Sequence, residues 1–143
     1  MELPLKLHQE IEVLSRSGSD LFDEGHYDAA IEKWQHALDL VPPPKADWEA
    51  TLWLCASIGD AQYQKGDFAS ARELFLDAIN APNGTSNPFV LYRLGQTEAH
   101  LGNAKASTDY LLRAYMLDGT KIFKADAEGA SYLKILEAQG LLP

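Results

Sequence analysis

Four histidines, one cysteine and 21 carboxylates are the residues of this 143-residue chain best suited to chemistry. His8, His26, His36 and His100 are scattered, with no H-E-x-x-H pair and no Cys/His cluster at the spacing a zinc ion needs. No His or Asn is placed to activate Cys55, so a small core hydrophobe is its expected role. The carboxylates crowd most in "SDLFDEGH", where Asp20, Asp23 and Glu24 close an expected helix, and a solvated acidic face accounts for them. "DGTKIFKADAEG" has acids in number but misplaces the central glycine and final glutamate of a calcium loop. A G-x-S-x-G elbow, a P-loop and a Rossmann glycine pattern are all missing. The reading is therefore no enzyme, no metal and no cofactor, which leaves binding.

The elements that would position a binding surface are written in a repeat. In "LFDEGHYDAAIEKWQHALDLVP" an aromatic follows Gly25 at +2 (Tyr27), a small residue at +5 (Ala30), a ring at +9 (Trp34), Ala37 at +12 and Pro42 at +17. From Gly66 the same register gives Phe68, Ala71, Phe75 and Ala78, with Pro82 at +16; from Gly102 it gives Ala104, Ser107, Leu111 and Ala114. Seven positions before each turn stands another glycine, Gly18, Gly59 and Gly95, preceded at four more by Leu14, Cys55 and Leu91.

These anchors match the pattern W-x2-L-G-x2-Y, A-x3-F, P, and the chain resembles the tetratricopeptide repeat (TPR) family. The resemblance implies an all-α fold, a short right-handed TPR solenoid of three helical hairpins near 11–44, 52–85 and 88–121. A C-terminal capping helix near 127–139 completes a single domain spanning 1–143. Packing physics agrees. Small residues at Gly18, Ala30 and Ala37 let two antiparallel helices approach, while Leu14, Trp34 and Leu38 fill the space between them. Each turn glycine can end helix A in a left-handed conformation, and Asp67 and Asn103 stand where they can cap helix B. An ordinary helical bundle is the alternative.

Helices are expected near 5–24, 28–40, 45–65, 68–80, 88–101, 104–118 and 127–139. Extra chain enters at "VPPPKADWEATLW", which predicts a long second A helix carrying Trp48 on a projection. In the tail, Tyr132, Leu133, Ile135 and Leu136 suit a helix that covers the third repeat, with a partner-binding helix as the other reading. Asn83-Gly84-Thr85 reads as a turn.

Composition, 46% hydrophobic and 23% charged, is that of a soluble globular protein, and the single cysteine precludes an internal disulfide. No apolar run approaches a membrane span and "MELPLKLHQE" lacks signal-peptide character, so the cytoplasm is the expected compartment. The net charge of −9 is uneven: residues 1–71 hold 13 acids against 5 bases. Such a field repels nucleic acid and anionic membranes and attracts cationic partners, although solubility alone would also explain it.

In TPR proteins helix A lines the concave groove. The resemblance places Glu12, Ser15, Ser19, Phe22 and Asp23 there from the first repeat, and Trp53, Ala56, Asp60, Tyr63 and Gln64 from the second. The third contributes Phe89, Tyr92, Arg93, Gln96, Ala99 and His100. Rings flanked by acids make a binding surface, with aromatics as anchors and carboxylates for steering; packing between helices is the other reading for Phe22 and Tyr63. Chaperone-binding members grip a C-terminal carboxylate with Lys, Asn and Arg. The corresponding residues here are Ser15, Ser19, Ser57, Phe89 and Arg93, of which only the arginine fits, and this argues against that clamp.

A narrower resemblance rests on the W-x-A-x-x-W run from Trp48 to Trp53, on "ASIGDA", and on "NPF" followed by "RLGQ". It is to small bacterial TPR proteins that accompany polymorphic, Rhs-type toxins as candidate immunity proteins; Lys121 and Lys124 depart from the acidic tail of that group. It implies a cationic toxin domain as partner. The alternative is an adaptor or secretion chaperone holding an extended peptide in the groove.

Overall fold

The computed structural model describes residues 3–143, and every regular element among them is helical. The expected single domain is organised as two compact units, residues 1–84 and 85–143. The first holds α1 (Leu5–Asp23), α2 (Tyr27–Leu40), α3 (Glu49–Lys65) and α4 (Phe68–Ile79), each packed on the next. The second holds α5 (Pro88–His100) and α6 (Ala104–Asp118) as a third hairpin, with the four-residue α7 (Lys121–Lys124) and α8 (Gly129–Ala138) folded onto it.

All three hairpins turn in the same way. Gly25, Gly66 and Gly102 have φ of 82°, 84° and 84°, and the residue after each sends its N–H back five positions. Those bonds, His26 to Leu21, Asp67 to Gln62 and Asn103 to Glu98, are 2.8, 2.9 and 2.8 Å long. They satisfy helix-end carbonyls in the Schellman manner, which a residue with a Cβ would do under strain.

Beyond the turn, the upstream glycines set how closely helix A meets helix B. A Cβ at Gly18 would fall inside the indole of Trp34; one at Gly59 would lie 2.9 Å from the Phe75 ring, and one at Gly95 2.6 Å from Leu111. The repeat spacing thus records three equivalent close approaches, with Ala30, Ala37, Ala71, Ala78 and Ala114 buried around them. In the third hairpin, Ser107 is satisfied in the core because its hydroxyl donates to the Gly95 carbonyl at 2.7 Å.

Three local expectations are corrected. The helix expected from residue 45 is a 3-10 turn, Lys45–Asp47, and α3 starts only at Glu49. Lys45 is tied at both ends: its ammonium donates to the Leu38 and Val41 carbonyls at 2.8 Å each, and its own carbonyl accepts from Thr51 Oγ1 at 2.6 Å. A cation at the C-terminus of α2 answers the orphan carbonyls and the helix dipole there, so the segment folds back and Trp48 is half-buried rather than projecting. Second, the capping role expected of Asn103 is not seen; its amide reaches Glu98 instead, whereas Asp67 does accept from the Ser70 N–H at 3.2 Å. Asn87 is a further cap, accepting from the Val90 N–H at 3.1 Å with Pro88 opening α5. Third, the tail forms two helices, and the anchor that the sequence reading missed is Phe123, fully buried with its ring edge-on to Tyr92 at 5.1 Å. Of the four tail residues singled out, Tyr132 and Leu136 are buried, Leu133 is half-buried and Ile135 is exposed.

Candidate functional site

Helix A residues of unit 1 fall into two groups. Phe22 and Tyr63 are half-buried and serve the hairpins: Phe22 stands edge-on to Tyr27 at 5.2 Å and tilted to Trp34 at 5.9 Å, and Tyr63 meets Phe68 at 5.3 Å. Ala56 is buried. Glu12, Ser19, Asp23 and Gln64 are exposed, while Ser15 and Asp60 are partly so. Trp53 differs from every other Phe, Tyr and Trp of this unit in having 55% of its surface open to solvent.

Trp53 stands at one wall of a cleft of about 650 Å³ between the first turns of α1 and α3, lined also by Leu5, His8, Trp48 and Glu49. The 3-10 turn that displaced the start of α3 is what brings Trp48 here, at the position just before the helix. Sequence reasoning named Trp53 but missed Trp48, Leu5, His8 and Glu49 as neighbours, because their meeting depends on how α1 and α3 are set side by side.

Charge separates the units more sharply than the halves of the sequence. Residues 1–84 carry 15 acids and 6 bases, and residues 85–143 carry six of each, so the whole net charge of −9 belongs to unit 1. Its field favours approach of a cation over that of an anion.

Unit 2 corrects the expected groove. Tyr92 and Gln96 are 1% and 0% exposed, covered within the unit that includes α7 and α8, and so are unavailable to a partner in this conformation. Asp126, from the bend between α7 and α8, accepts from the Tyr92 hydroxyl at 2.6 Å and from Gln96 Nε2 at 2.9 Å, with Arg93 Nη1 at 3.7 Å. Arg93 also donates to Gln96 Oε1 at 2.6 Å and lies over the Phe89 ring, 5.2 Å from its centroid. The chain's own carboxylate therefore holds the residues that the sequence reading assigned to a partner. Phe89 and Ala99 are half-buried and His100 is exposed. Burial, and then Asp126 as hydrogen-bond partner and charge, raise the Tyr92 phenol well above its usual range.

Cys55 is buried in α3, and burial, followed by the charge of Asp77, pushes its thiol up to about 12. Among the described residues no three His, Cys, Asp or Glu gather as metal ligands. The thiolate fraction of Cys55 near neutral pH is then roughly three decades below that of a free cysteine. A disulfide reagent should leave the native protein unlabelled and label one thiol per chain in denaturant; rapid native labelling would mean that α3 is not packed as described.

The comparisons agree with this fold. A tetratricopeptide repeat family profile matches residues 16–88 and 56–123. Among solved structures, the first TPR of Spaghetti (RPAP3), bound to HSP90 peptide SRMEEVD, is similar at 19% identity, with a TM-score of 0.72 over 92% of this chain and 93% of that one. The second TPR of the same protein, bound to the same peptide, gives 20% identity and a TM-score of 0.67 over 77% and 94%. No curated protein matches. With three hairpins in the expected register and the profile spanning most of its length, the chain belongs to the tetratricopeptide repeat family. Its fold is that of a protein-interaction module, and among the described residues no helix is long and apolar enough to cross a membrane.

Proposed function

We propose that this chain is an immunity protein, a TPR module that binds and neutralises a cationic toxin domain in the cytoplasm. The observation that carries the reading is the placement of the entire −9 charge on unit 1, the unit that also exposes Trp53. Carboxylates steer a basic partner and raise its association rate, while a desolvated tryptophan supplies residence time. The resemblance of the Trp48 to Trp53 run and of "ASIGDA" to toxin-associated TPR proteins supports the choice of a toxin. The partner surface in this reading is Glu12, Ser19, Asp23, Trp53 and Asp60, with Phe22 and Tyr63 at its edge; Phe89 and His100 are candidates in unit 2.

A second reading, an adaptor holding an extended peptide, is favoured by the two similar structures, each solved with a peptide bound. Affinity capture from the native cell separates the readings, since a folded toxin needs an interface of roughly 1,600 Å² and a peptide only a few anchors. Asp23→Asn combined with Asp60→Asn should slow association several-fold and lessen its salt dependence, with little change in dissociation. Cells expressing the captured toxin should survive with the wild-type protein. Capture of no basic protein, or survival that does not depend on this chain, overturns the immunity reading.

A further inference from the structure

We infer that the cleft between α1 and α3 is a seat for an arginine side chain presented by the partner, with Trp48 and Trp53 as its walls and Glu49 as its counter-charge. This deepens the proposal of a cationic protein partner and rests on it. Two observations converge. Two indoles line one cleft of about 650 Å³, and Trp53 keeps 55% of its surface open although large apolar rings are usually covered. A carboxylate, Glu49, lines the same cleft, and His8 beside it lies 3.7 Å from Glu12.

Each observation selects a feature of the occupant. Indole faces attract cations, and a guanidinium is flat and more weakly hydrated than an ammonium, so it stacks between rings at a smaller desolvation cost. Leu5, with 72% of its surface exposed at the mouth, offers apolar contact to a neighbouring aliphatic residue. A second copy of the chain is a poor occupant, because it would bring another unit of charge −9 to the same surface.

The test uses the whole chain and a blocked pentapeptide with arginine at its centre and leucine on either side. Its citrulline and lysine counterparts complete the set, and binding is followed through the three indole N–H signals in NMR. The arginine peptide should shift the Trp48 and Trp53 signals and leave Trp34, buried in the first hairpin, unmoved. Citrulline, isosteric but neutral, should bind about tenfold more weakly. Trp53→Ala, on an exposed side chain that leaves the fold intact, should lose about tenfold, and Glu49→Gln about threefold. Equal binding of the citrulline peptide, tighter binding of the lysine peptide, or shifts that avoid Trp48 and Trp53 would overturn the inference. Such a failure leaves the cationic-partner proposal to the capture experiment and its salt dependence, and a failed capture leaves the peptide titration readable.

Discussion

Trp34→Ala is expected to destabilise the protein by roughly 3–5 kcal/mol, the cost of emptying a large ring from a packed core. The ring is almost wholly buried, fills the space above Gly18, meets Phe22 at 5.9 Å, and donates from Nε1 to the Ser15 carbonyl at 3.1 Å. The surroundings of a deleted core ring relax only in part, so a cavity remains. A loss of this size is a large part of the stability of an ordinary domain. Denaturant unfolding followed by circular dichroism gives the number. A double-mutant cycle tests the cause: Gly18→Ala drives its new Cβ into the indole and should itself cost about 1–3 kcal/mol. In the Trp34→Ala background the same methyl group enters a cavity, so its cost should vanish or change sign. Additive effects would mean that the glycine and the ring do not meet.

The second large effect belongs to unit 2. Asp126→Ala removes the acceptor for the Tyr92 hydroxyl and Gln96 Nε2 and the carboxylate beside Arg93, and should cost about 3 kcal/mol, as two hydrogen bonds to a partly buried charged group are lost and their donors left unpaired. Hydrogen exchange should rise in α7 and α8 and stay unchanged in α1 to α4; unchanged protection of the tail helices would refute the role given to Asp126. Asp126→Asn keeps one acceptor oxygen and should lose less.

The Tyr92 phenol gives the same contact a pH dependence. Its folded value is raised above the unfolded value near 10, so the neutral form is the one the fold favours. The stability it contributes is fully present below about pH 10 and is lost as pH rises above that, by about 1.4 kcal/mol for each further pH unit. Alkaline unfolding should therefore begin in unit 2, and Tyr92→Phe should be less sensitive to alkali though less stable at neutral pH.

Legibility in the sequence followed the range of the interaction. The turn glycines and the Gly18–Trp34, Gly59–Phe75 and Gly95–Leu111 approaches recur at fixed spacing because every hairpin solves the same local packing problem. Asp67 was readable as a cap because a cap acts across three residues. Lys45 was not, since the turn that it closes depends on reaching back to carbonyls of α2 and being held by Thr51. Trp53 could be placed on helix A by register, and its side chain is exposed. Tyr92 and Gln96 held the equivalent register yet are buried, because register says which face a residue lies on and not what covers that face.

By itself, then, the sequence determined the class of protein: all-α TPR hairpins, their number and registers, and an acidic N-terminal part. Periodicity and composition are properties of neighbouring residues, and no long-range arrangement is needed to express them. Only the tertiary structure decided that Asp126 closes over Tyr92 and Gln96, that Phe123 anchors the tail, and that Trp48 and Trp53 share a cleft with Glu49. Those contacts join residues far apart in the chain or on separate turns of backbone, and side-chain pairing at such separation leaves no period to read.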